Sequence, residues 1–264
     1  MEIILVSPRN PLNIGAAARA MANFGLRRLT IVAPFATNWT DAKSAVGAPD
    51  LLRDARVLDT LAEAVADCGL VLGTGSLDRR RPDQAILDMP AAAAEMHRVL
   101  STSVESAHAK QPRVALVFGS EKHGLTSDDL TWCHAIAVID TTEDQPSMNL
   151  GQSVAVCLYE LSRNPGSLAA VPHYQSAATT LLPAEATEAL PDSSQLDRLA
   201  ELIEDVMEES NYLTRGLRSA NGEALRILLR RLMPRDSDLR RMMGLFRRIL
   251  WQLRHLNARQ QREL

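Results

Sequence analysis

The sequence predicts an α/β protein, a mostly parallel sheet covered by helices on both faces and followed by a small all-helical C-terminal extension. Three observations carry this. Strand-type runs alternate with helical patterns over residues 1–163. Those runs are continuously apolar, as strands buried on both faces are. A proline-rich stretch, 164–192, then separates them from a helical, arginine-bearing pattern at 193–264.

In chain order the strand patterns are "IILVS" (3–7), "LTIVA" (29–33), "GLVLGTG" (69–75), "RVALVFG" (113–119) and "AIAVID" (135–140). Helical patterns stand near 14–24, 60–66 and 90–100, and from Asn149 to Leu161. In such sheets ligands bind beyond the carboxyl ends of the strands. Gly73 and Gly75 follow the third strand and Gly119 and Gly124 the fourth, so glycines collect at that edge, where a ligand can approach bare backbone.

The stretch 164–192 contains four prolines and few bulky apolar groups and reads as a linker. "SSQLDRLAELIEDVMEESNYL" opens on a serine suited to helix capping and repeats apolar residues at helical spacing. "GEALRILLRRLM" and "DLRRMMGLFRRILWQLRHL" follow, separated by Pro234 and the capping candidate Asp236.

With 264 residues, 46% of them hydrophobic, the chain can bury one full core and has length left for a smaller unit. It has no run of eighteen apolar residues and no basic start leading to a cleavage site, so the expected location is cytoplasmic, with no membrane partner. Cys68, Cys133 and Cys157 match no metal-ligand spacing and are expected to be reduced and structural. His123, His134 and His173 show no metal spacing either and read as solvated or hydrogen-bonded imidazoles; no metal is expected.

The net charge of −3 hides a polarity: −4 over residues 1–163, −8 over 164–211 and +9 over 212–264. All 13 cations of the last segment are arginine, the side chain suited to forked contacts with phosphate. A solvated helix face and a nucleic-acid contact both fit this feature.

Four stretches have chemical content. "TGS" (74–76) is a glycine turn at a strand end. "GSEKHGL" (119–125) matches neither a P-loop nor GxGxxG; Glu121 there either caps the following turn or accepts hydrogen bonds from a ligand or from backbone amides. "QPSMNLGQSVAVCLYEL" (145–161) starts a helix that Ser147 or Asn149 can cap. In "NPLNIGAAARAM", Ala16, Ala17, Ala18 and Ala20 permit close helix packing, and Arg19 lies one turn after Gly15 on the same face. That face offers a bare backbone patch and a cation, and Arg19 is equally suited to a surface salt bridge or to an anion or ribose contact. No Ser-His-Asp order, paired-cysteine motif or acidic cluster stands out.

Taken together in this order, "NPLNIGAAARAMANFGLRRLTIV", "LVLGTGS", "ALVFGSEKHGLTSDDLTWCHAIAVI" and "PSMNLGQSVAVCLYEL" resemble the SPOUT superfamily of RNA methyltransferases, in its ribose 2′-O-methylating TrmH branch. The resemblance covers about residues 1–162. It implies a SPOUT-type α/β fold with a trefoil knot, a homodimer, and S-adenosyl-L-methionine as cofactor. Carried over, the cofactor loops are Thr74, Gly75 and Ser76; Gly119 and Glu121; Ile139; and Pro146, Ser147 and Met148. The catalytic residue is Arg19, ordered by Asn13 and Asn149. It either stabilises the developing alkoxide while holding the ribose or accepts its proton.

Within the branch the likeness is to tRNA (cytidine/uridine-2′-O-)-methyltransferases acting at nucleotide 32 of the anticodon loop, and the tail resembles their helical extension more loosely. The RNA partner requires a cationic track, for which Arg9, Arg27, Arg28, Arg79, Arg80, Arg81 and the tail arginines are candidates. Ser120 stands where these enzymes usually carry arginine, and Pro146 where serine is common. The alternatives are a TrmH-type enzyme for rRNA or another tRNA nucleotide, and a non-catalytic RNA-binding protein.

Overall fold

The structure is a computed structural model that describes residues 1–35, 38–40, 42–76, 82–101, 113–163, 190–212 and 218–260. Seven strands form one parallel sheet: β1 (Glu2–Val6), β2 (Leu29–Val32), β3 (Arg56–Leu58), β4 (Cys68–Thr74), β5 (Ala85–Asp88), β6 (Arg113–Phe118) and β7 (Ala135–Val138). Their spatial order is β3-β2-β1-β6-β4-β7-β5, and every pairing is parallel. The sequence shows five of these. The two it lacks, β3 and β5, are the sheet's edges, short and partly exposed, so neither has the continuous apolar run that marks an interior strand.

Alternate residues of each strand face opposite layers. Ile3, Leu5, Ile31, Leu70, Leu72, Leu116 and Phe118 pack on one side, under α1 (Pro11–Asn23), α2 (Pro49–Arg53), α4 (Met89–Ser101) and α6 (Leu150–Ser162). Ile4, Val6, Val71, Ala115 and Val117 pack on the other, under α3 (Leu61–Val65) and α5 (Ser127–Thr131). The helix expected near 14–24 begins earlier, because Pro11 takes its first position and the Asn10 side chain accepts from Leu12 N at 2.9 Å. α1 and α6 run close together: a Cβ on Gly151 would come within 2.6 Å of the Ala16 methyl.

Burial pushes the Cys68, Cys133 and Cys157 thiols up to about 12, consistent with inert, reduced side chains. His134 is a core residue. Its ring Nδ1 accepts from Val71 N at 3.0 Å and its backbone N–H donates to Val71 O at 2.8 Å, while burial and the nearby Arg230 charge lower its pKa to about 3 and keep the ring neutral. His173 and most of the 164–192 linker lie outside the described residues.

The extension consists of α7 (Ser193–Glu209), α8 (Arg218–Leu232) and α9 (Asp236–Gln260), with α8 and α9 packed on α7. The capping assignment needs correction. Asp192 caps α7 in a reciprocal box with Gln195, which leaves Ser193 buried and free to donate to Cys68 O at 3.2 Å. Ser194 N also donates to Ala66 O at 2.9 Å, so the start of the extension is fastened to the sheet domain.

α8 is fastened through arginine. Arg226 and Arg230 lie over the Trp132 ring at 4.5 and 5.2 Å, Arg226 pairs with Asp128 at 3.3 Å, and Arg230 pairs with Asp197 at 3.1 Å. These two tail arginines therefore serve docking and are removed from the candidate RNA track. Burial raises the Asp197 carboxyl and lowers the Arg230 guanidinium, so the pair offsets a desolvation cost without exceeding it. Asp197→Ala strips the countercharge from a guanidinium only 1% exposed. A thermal melt should register a loss of about 3 kcal/mol, the low end for breaking a buried pair because Asp197 is partly exposed, whereas a surface substitution such as Arg240→Ala should leave it within error. No described helix is long and apolar enough to cross a membrane.

Candidate active site

The carboxyl edge of β4, β6 and β7 opens into a cavity of about 620 Å³. Its walls come from three loops: Thr74, Gly75 and Ser76 after β4, residues 119–125 after β6, and Ile139, Pro146, Ser147 and Met148 between β7 and α6. Every residue expected in a cofactor site lines it. Leu125, Phe118 and Lys122, which the sequence reading did not single out, line it as well, and so does His123, read there only as a solvated or hydrogen-bonded imidazole.

The loop after β6 owes its shape to two glycines. A Cβ on Gly119 would overlap the backbone of Gly124 and Leu125, because the chain folds back on itself, with Ser120 and Gly124 bridged and Gly124 N donating to Ser120 O at 2.8 Å. Gly124 takes φ +65°, the left-handed region. Opposite, Thr74 Oγ1 donates to Val117 O at 3.0 Å, which spends the hydroxyl on the sheet. Nothing lies within 4 Å of where a Cβ on Gly75 would stand, so that glycine leaves open cavity above bare backbone.

Glu121 resolves an open alternative. It does not cap the following turn; its carboxylate accepts from Arg9 N at 2.9 Å, Asn10 N at 3.0 Å and Asn13 Nδ2 at 3.0 Å. Asn13 Oδ1 in turn accepts from Asn149 Nδ2 at 2.9 Å, and Asn149 Oδ1 accepts from Gly151 N at 2.9 Å, capping α6. Asn149, and not Ser147, is therefore the cap. The relay Glu121–Asn13–Asn149 ties the start of α1, the loop after β6 and the start of α6 together, so the two asparagines act on architecture, holding two of the loops that wall the cavity.

Partial burial raises the Glu121 carboxyl, but the hydrogen bonds from Asn13, Arg9 and Asn10 outweigh it and hold the group below the usual carboxylate range. A depressed folded value gives a stabilisation fully present above the ordinary glutamate pKa of about 4.3 and lost as pH falls through the folded value. Wild-type thermal stability should therefore fall more steeply on acidification below about pH 4.3 than that of Glu121→Gln, whose amide does not titrate. Parallel melting curves for the two would count against the clamp.

The chain enters α1 through Ser7, at φ 47°, and leaves β2 through Ala33, at φ 43°. Left-handed backbone at non-glycine residues costs about 1–2 kcal/mol each. It is held here by Ser7 N donating to Val32 O at 2.8 Å and Ala33 N to Leu58 O at 2.9 Å. The result brings Arg9 over the exposed Phe35 ring at 4.1 Å, a contact the sequence did not signal.

Arg19 is exposed on α1, six residues and thus about 9 Å along the axis from Asn13. Its guanidinium has no ion pair or side-chain hydrogen bond among the described residues, so the salt-bridge reading finds no partner there. The bare patch expected at Gly15 is not there. Residues 42–45 fill it, and a Cβ on Gly15 would come within 2.9 Å of Ala45 N and overlap the Ser44 hydroxyl. Arg27 and Arg28 are exposed on the loop after α1, and Arg79, Arg80 and Arg81 lie outside the described residues.

The SpoU rRNA Methylase family model matches residues 1–159. A Pseudomonas aeruginosa protein named tRNA (cytidine/uridine/adenosine-2′-O-)-methyltransferase TrmJ is 41% identical over 162 residues, a match spanning 61% of this chain and 60% of that relative's length. The tRNA (cytidine/uridine-2′-O-)-methyltransferase TrmJ of Yersinia enterocolitica is 31% identical over 246 residues, 93% of this chain and 89% of its own. Among solved structures, TrmJ from Z. mobilis ZM4 superimposes with a TM-score of 0.75 at 28% identity, covering 94% of this chain and 98% of that one. That superposition extends the likeness through the helical extension.

Proposed function

The chain belongs to the SpoU rRNA Methylase family, and on that premise we propose that it methylates ribose 2′-hydroxyls of tRNA from S-adenosyl-L-methionine, at cytidine or uridine 32 of the anticodon loop. The names of its Pseudomonas and Yersinia relatives support the substrate class and the position of the methyl group. The observation that carries the reading is the relay through Glu121, Asn13 and Asn149. It fastens two of the three cavity walls, the loop after β6 and the start of α6, to the helix that presents Arg19, which has no ion pair among the described residues.

The residues present fit the cofactor. A cavity of about 620 Å³ is within the size range of small-molecule sites. Leu125, Ile139 and Met148 give it apolar surface for a purine, and the open space at Gly75 leaves main chain free to pair with the purine's edge. The bound cofactor supplies an electrophilic methyl group on a sulfonium sulfur.

The protein's part is to hold the ribose in line and stabilise charge on the attacking oxygen. Arg19 does this with a fixed positive fork. Arginine stays protonated at any working pH, so proton acceptance requires an adjacent RNA phosphate, and the electrostatic role is preferred. Arg9, Arg27 and Arg28 offer exposed cations to the RNA backbone.

The same reading includes a trefoil knot and a homodimer. Leu12 on α1 and Val156 and Tyr159 on α6 are exposed apolar groups on the paired helices, the kind of face a second copy covers, and such a copy would bring its own cofactor site towards Arg19.

Mass spectrometry of nuclease digests after reaction with unmodified tRNA tests the assignment. A ribose-methylated nucleotide 32 is expected. Product at another tRNA nucleotide or on rRNA moves the chain to a different specificity of the same family, a methylated base overturns the ribose assignment, and no product beside an active control leaves an RNA-binding protein.

A further inference from the structure

We propose that Arg226 and Arg230 of α8 are positioning residues for the cofactor loop: by clamping Trp132 and Asp128 they hold α5, and through α5 they set where Leu125 stands in the cavity wall. The proposal rests on the reading of the cavity as a cofactor site, and neither arginine lines it.

The contact reaches the site through α5. That helix has five residues, too few to persist without packing, so its neighbours decide where it lies. It joins the loop after β6 with no slack: Leu125 lines the cavity, and the next residue, Thr126, caps α5 in a reciprocal box with Asp129. Leu125 is fully buried in one apolar cluster with Leu130 and Cys133, and Trp132 packs against that cluster. A Cβ on Gly73 would come within 2.9 Å of Leu125 Cδ1 and 2.8 Å of Cys133 Sγ, so the end of β4, which leads into Thr74 and Gly75, touches the chain on both sides of α5. Shifting α5 therefore disturbs Leu125 and the end of β4 together.

α8 supplies the outer hold. Arg226 grips α5 twice, by its pair with Asp128 and by its place over the Trp132 ring, and Arg230 joins it over the same ring while pairing with Asp197 of α7. α7 is itself fastened at the start of β4 through Ser193 and Ser194, so the clamp is anchored to the sheet it acts on. An apolar contact would serve stability better. The two guanidiniums stand one turn apart on one indole, and the Nε of each is buried with no hydrogen-bond partner among the described residues, so the contact carries a desolvation cost that an apolar patch of its size avoids. What ion pairs and stacking add is direction: they fix where α8 meets α5. Linkage makes the coupling reciprocal, so a cofactor that gains from the clamp also tightens it.

The test uses the full-length protein without RNA, S-adenosyl-L-homocysteine as the probe, and the variants Arg226→Gln and Arg226→Lys. By calorimetry Arg226→Gln should weaken probe binding about tenfold, and in methylation assays it should raise the KM for the cofactor while kcat at saturating cofactor and tRNA stays near wild type. Arg226→Lys keeps the charge for Asp128 but not the flat stack on Trp132 and should recover part of the loss. In the wild type, adding the probe should slow amide exchange in α8 as well as in α5, although no α8 residue lines the cavity, and Arg226→Gln should abolish the α8 response. A lower melting temperature with wild-type probe affinity would make the arginines structural only and overturn the proposal while the cofactor reading stands. Unchanged α8 exchange in the wild type on probe binding would overturn it equally, and decides alone if Arg226→Gln does not fold. A wild-type protein that binds no probe removes the cofactor reading as well.

Discussion

Arg19→Ala should bind S-adenosyl-L-methionine with an unchanged Kd and lose turnover about a hundred- to a thousandfold, the usual effect of deleting one preorganised group that meets charge in the transition state. The separation of the two readouts is the point. Arg19 is exposed, lines no part of the cavity and supports no neighbour by an ion pair among the described residues, so truncation removes nothing the fold or the cofactor pocket uses. Arg19→Lys keeps the charge but not the planar fork and should recover only part of the loss. Calorimetry for the cofactor beside single-turnover methylation distinguishes the outcomes. Wild-type turnover in Arg19→Ala removes the residue from the mechanism, and a parallel loss of cofactor affinity reassigns it to the pocket.

Gly119→Ala has the opposite signature. The added methyl has no place to go, because the atoms it would meet are the backbone of Gly124 and Leu125 rather than a side chain that can rotate. Relief requires opening the Ser120–Gly124 bridge, and that displaces Glu121 from the amides of Arg9 and Asn10. Cofactor affinity should fall at least a hundredfold, with a lower melting temperature. The control is Gly75→Ala, whose methyl meets no protein atom: its melting temperature should stay near wild type while cofactor affinity falls by steric exclusion. A Gly119→Ala protein with normal cofactor binding would show that the loop after β6 is more pliable than its backbone contacts allow.

The sequence was legible where one physical signal dominates. Interior strands of a parallel sheet are apolar throughout, and all five that the sequence shows are present in the sheet. β3 and β5 were not legible, because an edge strand that is half solvated and three or four residues long has neither a continuous run nor a clear alternation. The glycines at the carboxyl ends of β4 and β6 were a local signal, whereas Ile139 and Pro146 to Met148 were expected in the lining only through the family resemblance. What was not readable is the partner of each polar side chain. "GSEKHGL" does not reveal that Glu121 reaches back to Arg9 and Asn10, nor does "GAAARAM" reveal that residues 42–45 occupy the space over Gly15. The tail's charge was visible, yet its division into arginines that dock α8 on Trp132 and arginines that face outward on α9 depends on helix phase and packing together.

The relay also fixes when the site comes into being. Its two links join residues 108 and 136 positions apart, Asn13 to Glu121 and Asn13 to Asn149. Such long-range closures come late in folding, after the local structure they connect. During synthesis the α1 segment has neither of its relay partners until more than half the chain has been made. A chain stopped before residue 149 holds Arg19 and the glycine loops but lacks the Asn149 link that fastens α6 to α1. Two of the pocket's walls are thus fastened only once both links have formed, through one carboxylate and two side-chain amides.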